Sequence, residues 1–154
     1  WSGLDGGGPS YRYGGSGRIG SNEVVTSEEA AIRLERANEK AAEGSVCFKA
    51  KLDDQRAVQC FQAGVELLDF APPTPQLKEQ HQKALVTCLL SSAAVQLRLG
   101  QWYEASLDCL QVLDMDPCNV KAHLCRTRAF IEQGDVRQAT KALKEASEGT
   151  SLQD

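Results

Sequence analysis

The chain has 154 residues, 42% of them hydrophobic and 25% charged, enough for one domain with a buried core. Its longest mainly apolar run, Ala84 to Val95, is broken by Thr87, Ser91 and Ser92 and is too short to cross a bilayer, so no membrane is expected as a partner. The net charge of -4, with no dense Lys/Arg block, gives phosphates no attracting field, and nucleic acid is not expected either.

Residues 1 to 21 are rich in Gly and Ser and carry no apolar period, the composition of a flexible arm or of the remnant of a fusion. From Thr26 the character changes. Thr26 and Glu29 are spaced as a capping box ahead of an Ala-rich helix reaching about Lys51. The stretch from Asp53 to Phe70 places Ala57, Cys60, Phe61, Val65 and Leu68 at helical spacing. Pro72, Pro73 and Pro75 then interrupt both helix and strand hydrogen bonding.

Further helices are predicted from about Gln76 to Leu99, Trp102 to Leu113, Val120 to Gln133 and Val136 to Glu148, and no segment alternates with the period of a strand. Residues 22–148 thus form the helical domain, and 149–154 remain as a tail. The last helix carries an apolar stripe of Val136, Ala139 and Leu143 with little chain left to cover it, so the C-terminal end is expected to fray first.

The last two helix pairs repeat each other. Gly100 returns as Gly134, Ala105 as Ala139, Cys109 as Leu143 and Val112 as Ala146, each about 34 residues on, the period of the tetratricopeptide repeat. Gly44 and Phe48 ahead of Ala57 and Phe61 give the first pair the same skeleton, with one extra residue in the turn. Small residues at Gly44, Ala93, Ala105 and Ala139 suit close helix contacts. The predicted fold is all-α, three such repeats (about 27–70, 76–117 and 119–148) stacked as a right-handed α-solenoid, and the expected state is a monomer.

Chemistry is sparse. The six cysteines contain no C-x-x-C pair, and most fall on apolar faces, so they are read as packed, reduced thiols of a cytoplasmic protein, with the nucleus as the other compartment. Cys118, in the turn after Pro117, and Cys125 are expected to be the reactive ones. No metal or cofactor site and no catalytic constellation is expected. His123 and Cys125 lie two apart on one helix, about 200° around its axis, and do not meet. The work left to a stack of helix pairs is binding of an extended peptide or a helix along its concave wall.

The segments "EGSVCFK", "LRLGQWYEASLDC" and "LDMDPCNVKAHLCR", with the proline-bearing loop between the first two repeats, resemble the three-repeat domains of FK506-binding immunophilins and related co-chaperones over about residues 27 to 148. The resemblance implies a protein-interaction module whose partner is a heat-shock chaperone's C-terminal Glu-Glu-Val-Asp tail, gripped by two Lys, two Asn and one Arg. At those positions this chain has Ala41 and Ser45 in the first repeat, Ser91 in the second, and Lys121 and Cys125 in the third. Only Lys121 keeps its identity, so the clamp reads as degenerate. Lys40, Lys49, Arg126 and Arg128 are placed to lend charge, and Leu124 and Ile131 to add apolar surface. Two further readings stand beside this one: a chaperone-tail clamp that survives its substitutions, and a structural or oligomerising element whose groove is filled by residues 1 to 21.

Overall fold

The computed structural model describes residues 23–151, which form six helices joined by short turns. The predicted arm and residues 152–154 of the tail lie outside the described residues. In chain order the helices are α1 (Ser27–Lys49), α2 (Asp54–Leu67), α3 (Pro75–Leu99), α4 (Trp102–Met115), α5 (Val120–Glu132) and α6 (Val136–Ser151).

Every start but that of α4 follows from a side chain placed to accept an unpaired backbone N–H, Asp135 Oδ1 doing so for α6 from Gln138 at 3.0 Å. Thr26 Oγ1 accepts from Glu29 at 3.1 Å, Asp53 Oδ1 from Arg56 at 3.0 Å, Thr74 Oγ1 from Leu77 at 3.2 Å and Asn119 Oδ1 from Ala122 at 2.9 Å. Thr26 thus supplies its half of the expected capping box, while the Glu29 carboxylate lies 3.8 Å from Arg33. Pro75 opens α3, where its missing N–H costs no helical bond, so the proline stretch both breaks the chain and starts the next helix.

The repeat is written into the backbone as well as the side chains. Gly100 and Gly134 both take the left-handed conformation at φ 78°. Around them the same two bonds recur: Gly100 N–H to Leu97 O with Gln101 N–H to Gln96 O, and Gly134 N–H to Ile131 O with Asp135 N–H to Phe130 O. The first repeat closes identically, Lys51 N–H to Phe48 O and Leu52 N–H to Cys47 O, with Lys51 at φ 54° where the others have glycine. The next helix starts three residues after Lys51 but two after Gly100, so this turn has the one extra residue expected.

Packing is sequential, each helix against the next, and the first helices of successive repeats also touch, α1 on α3 and α3 on α5. One continuous apolar cluster runs from Leu34 and Ala37 through Val65, Leu68, Leu85 and Leu89 to Ala105, Val112 and Ala122. A second cluster of Cys47, Ala57, Val58, Phe61 and Val95 sits beside it. Gly44 shows why a small residue is needed: a Cβ there would stand 3.0 Å from the Phe61 ring and 3.1 Å from Ala57 O.

The long loop after α2 is pinned by Arg33, which donates to Leu67 O at 2.9 Å and to Glu23 at 3.1 Å and lies over Phe70. His81 packs edge-on to Phe70 and donates from Nε2 to Leu68 O. Glu23 O also accepts from Ala71 N–H, making a lone bridge between Val24 and Ala71 that amounts to no strand.

At the far end, Val136 and Leu143 are exposed, whereas Ala139 and Ala142 of α6 are buried. The helix runs beyond Glu148 to Ser151. Gly149 lies against the Pro117 turn, its carbonyl accepting from Cys118 Sγ at 3.0 Å.

Asp108 is a buried carboxyl with no ion pair among the described residues. Asp108 is 1% exposed on α4, with the Ser92 hydroxyl and Gln96 amide of α3 facing it, and burial pushes its carboxyl up to about 7 from an ordinary 3.8. A native pKa above the unfolded one means that stability is lost as pH rises from the unfolded value through the native one. That gap corresponds to roughly 4 kcal/mol. Asp108→Asn is therefore expected to be more stable than the parent by a margin that grows between about pH 4 and pH 7 and then levels off, read by urea unfolding across pH. Lys51→Gly should stabilise by about 1 kcal/mol at any pH by relieving the left-handed strain.

Candidate peptide-binding groove

The first helices of the three repeats line one side of the stack and enclose two adjoining hollows. The larger, about 730 Å³, is bordered by Ser45, Phe48 and Lys49 of α1, by Val86, Leu90, Ser91 and Ala94 of α3, and by Asn119 and Lys121 at the start of α5. The smaller, about 550 Å³, continues from Phe48, Leu90, Ala94 and Lys121 to Leu97, Arg98, Leu124, Cys125 and Arg128. The floor is apolar and the rim carries Lys49, Lys121 and Arg128, with Asp116 at one end of the larger hollow.

Ser45, Lys49, Ser91 and Lys121 thus meet in one hollow, and Lys121, Leu124, Cys125 and Arg128 in the other. Ala41 borders neither. It is half-buried and packs against both apolar clusters, because it lies one turn before Ser45 toward the core. Ile131 is exposed and also borders neither hollow.

The four auxiliary cations divide. Lys49 and Arg128 face the groove. Lys40 instead pairs with Glu43 at 3.2 Å, and Arg126 pairs with Glu145 of α6 at 3.1 Å while lying over the Phe130 ring. His123 Nε2 donates to Pro117 O at 2.8 Å, whereas Cys125 borders the smaller hollow, so the two side chains part as the helix geometry requires.

Two wall residues have no counterpart in the sequence reading. Arg98 lies 3.9 Å over the centre of the Phe48 ring, donates to Phe48 O at 2.9 Å and to Asp54 Oδ2 at 2.7 Å, and so ties together the ends of α1, α2 and α3. The side-chain bonds from Arg98 hold the Asp54 carboxyl below its ordinary range. Asn119, the one asparagine bordering the hollows, is committed to capping α5 and to Asp116, 3.2 Å from its amide.

The arrangement is shared with solved and curated proteins. The C-terminal tetratricopeptide-repeat domain of a Plasmodium falciparum FK506-binding protein superposes with a TM-score of 0.70 at 21% identity, over 80% of this chain and 81% of that one. This chain has the tetratricopeptide-repeat fold. A human FK506-binding protein-like protein is 32% identical over 123 residues, 79% of this chain and 32% of that protein. FK506-binding protein 5 of Rhizopus delemar is 30% identical over 118 residues, 76% of this chain and 30% of that protein. Human sperm-associated antigen 1 is 39% identical over 51 residues, 33% of this chain and 6% of that protein. The chain therefore spans about a third or less of the length of these curated relatives. No family model matches it. The tetratricopeptide-repeat domain resembles those of immunophilin-type proteins, as the sequence segments imply.

Because Arg98 fastens the groove wall, Arg98→Ala should lower the melting temperature near neutral pH, and Arg98→Lys should not restore it, since an ammonium cannot both stack and bridge. The depressed Asp54 pKa makes this contribution present above the ordinary aspartate range and lost as pH falls through the lower value. The gap in melting temperature between parent and Arg98→Ala should therefore narrow in strong acid to the part that comes from the Phe48 ring and carbonyl.

Proposed function

We propose that this domain is a non-catalytic protein-interaction module that holds an extended segment of a partner protein along its groove, and that it has lost most of the carboxylate clamp of the proteins it resembles. The observation that carries the reading is the composition of the wall: an apolar floor of Phe48, Leu90, Ala94, Leu97 and Leu124 under a sparse cationic rim. Such a surface suits a segment with apolar side chains on one face and an acidic group near Lys121 and Arg128. Its relatives are named as FK506-binding proteins, which supports a module of the co-chaperone type.

The clamp chemistry argues for weak tail binding. A terminal carboxylate against cations and amides gains charge-assisted bonds worth about 1.5–3 kcal/mol each. Ala41 and Cys125 supply no charge, and Ser45 and Ser91 offer hydroxyls shorter than a carboxamide. The loss should reach at least about 3 kcal/mol, or roughly a hundredfold in affinity.

Calorimetric titration of a Glu-Glu-Val-Asp peptide checks this. The parent domain should bind it about a hundredfold more weakly than a variant carrying Ala41→Lys, Ser45→Asn, Ser91→Asn and Cys125→Arg. Low-micromolar binding by the parent, abolished by Lys121→Ala, would show that the clamp survives.

A further inference from the structure

Another hollow lies toward the N-terminal half of α1, and its rim carries the opposite charge. About 510 Å³ in volume, it is enclosed by α1 and α3, with Ala31, Leu34, Ala42 and Leu77 as its floor and Glu35 and Glu39 on its rim. Residues three or four apart share a helix face, so Ala31, Glu35, Asn38, Ala42, Ser45 and Lys49 run in one line along α1. The first four border this hollow, and the last two border the largest one. A single rigid helix thus carries carboxylates at one end of the wall and a cation at the other.

Glu29 and Glu43, before and after this pair on α1, are engaged by Arg33 and by Lys40 and Arg56. Glu35 and Glu39 are exposed and have no ion pair among the described residues. The floor beside them is built of small and aliphatic side chains, which fits the methylene stem of a lysine or arginine whose charged head reaches the rim. The hollow on the other flank of α3 is lined by Lys78 and Lys83 together with Glu79 and Asp116, so its charges offset.

We propose that the partner segment held along this wall places a lysine or arginine at Glu35 and Glu39 as well as an acidic residue at the cationic end, so that the domain reads the spacing between two opposite charges; this rests on the groove reading above. The helix sets that spacing. At 1.5 Å of rise per residue, Glu39 and Glu35 lie about 15 and 21 Å from Lys49 along the axis, which an extended chain covers in about five or six residues. A segment acidic at both ends sets like charge against like at the Glu35 end and is disfavoured.

The test starts from random dodecapeptides displayed as a library and selected on the full chain. The peptides retained should hold Lys or Arg about five or six positions from Asp or Glu, and the tightest of them is titrated calorimetrically into the parent and its variants. At low salt, Glu35→Gln with Glu39→Gln should weaken it about fivefold, the scale of two exposed ion pairs, and by less at high salt. Glu35→Lys with Glu39→Lys should weaken it further, and exchanging the peptide's basic residue for Glu should recover the loss in that variant. Lys121→Glu, which tests the groove reading by itself, should also weaken the peptide. A peptide weakened by Lys121→Glu but unmoved by the changes at Glu35 and Glu39 would overturn this proposal alone. A peptide unmoved by all of them would overturn the groove reading with it. Tighter binding after Glu35→Gln and Glu39→Gln would also overturn the proposal, since it would show the hollow held by Arg12 or Arg18 of the chain's own first residues.

Discussion

Close approach of neighbouring helices through small side chains is the constraint on which the rest depends. At Gly44 the backbone of α1 comes so near Phe61 and Ala57 that no Cβ fits without movement, and at Gly64 a Cβ would stand 2.8 Å from Cys88 Sγ. Ala30, Ala37, Ala93, Ala105 and Ala122 are all fully buried in one core cluster. Small residues at these places fix how near the helices come, and interior packing as dense as a crystal's leaves little freedom to vary it. The groove is a consequence: α1, α3 and α5 touch in series, and their other flanks, left uncovered, form its wall.

The turns convert this spacing into a repeat. Three times the chain leaves a first helix through the same pair of backbone bonds and a left-handed residue, so each second helix starts in the same relation to the first. The glycine at two of the three turns is thus an effect of the backbone geometry, and Lys51 shows that the geometry persists where the residue does not favour it. Polar groups inside the stack mark its weaker joints. Asp108 between α3 and α4 is the clearest, since its burial opposes its own ionisation.

Much of this was legible in the sequence. The spacing of Ala57, Phe61 and Val65, and of Ala105 and Val112, announced buried helix faces, and all five residues are buried. Thr26, Pro75 and Gly100 marked helix ends because capping and left-handed turns use few residue types. Ser45, Ser91, Lys121 and Cys125 were placed on one wall by the resemblance to the three-repeat immunophilin domains, and all four border the hollows. What stayed hidden depends on contacts distant in sequence. Lys40 and Arg126 look available, but Glu43 and Glu145 claim them. Arg98 reads as one more surface cation until Phe48 and Asp54 are brought to it by the fold.

The central claim is that the wall formed by α1, α3 and α5 is the binding face. Amide chemical-shift mapping tests it directly, by titrating the isotope-labelled domain with the tightest peptide selected from a random displayed library. The account predicts shifts concentrated at Phe48, Leu90, Ala94, Leu97, Leu124 and Arg128. Shifts concentrated instead on α2, α4 and α6, with these six residues unmoved at saturation, would contradict it.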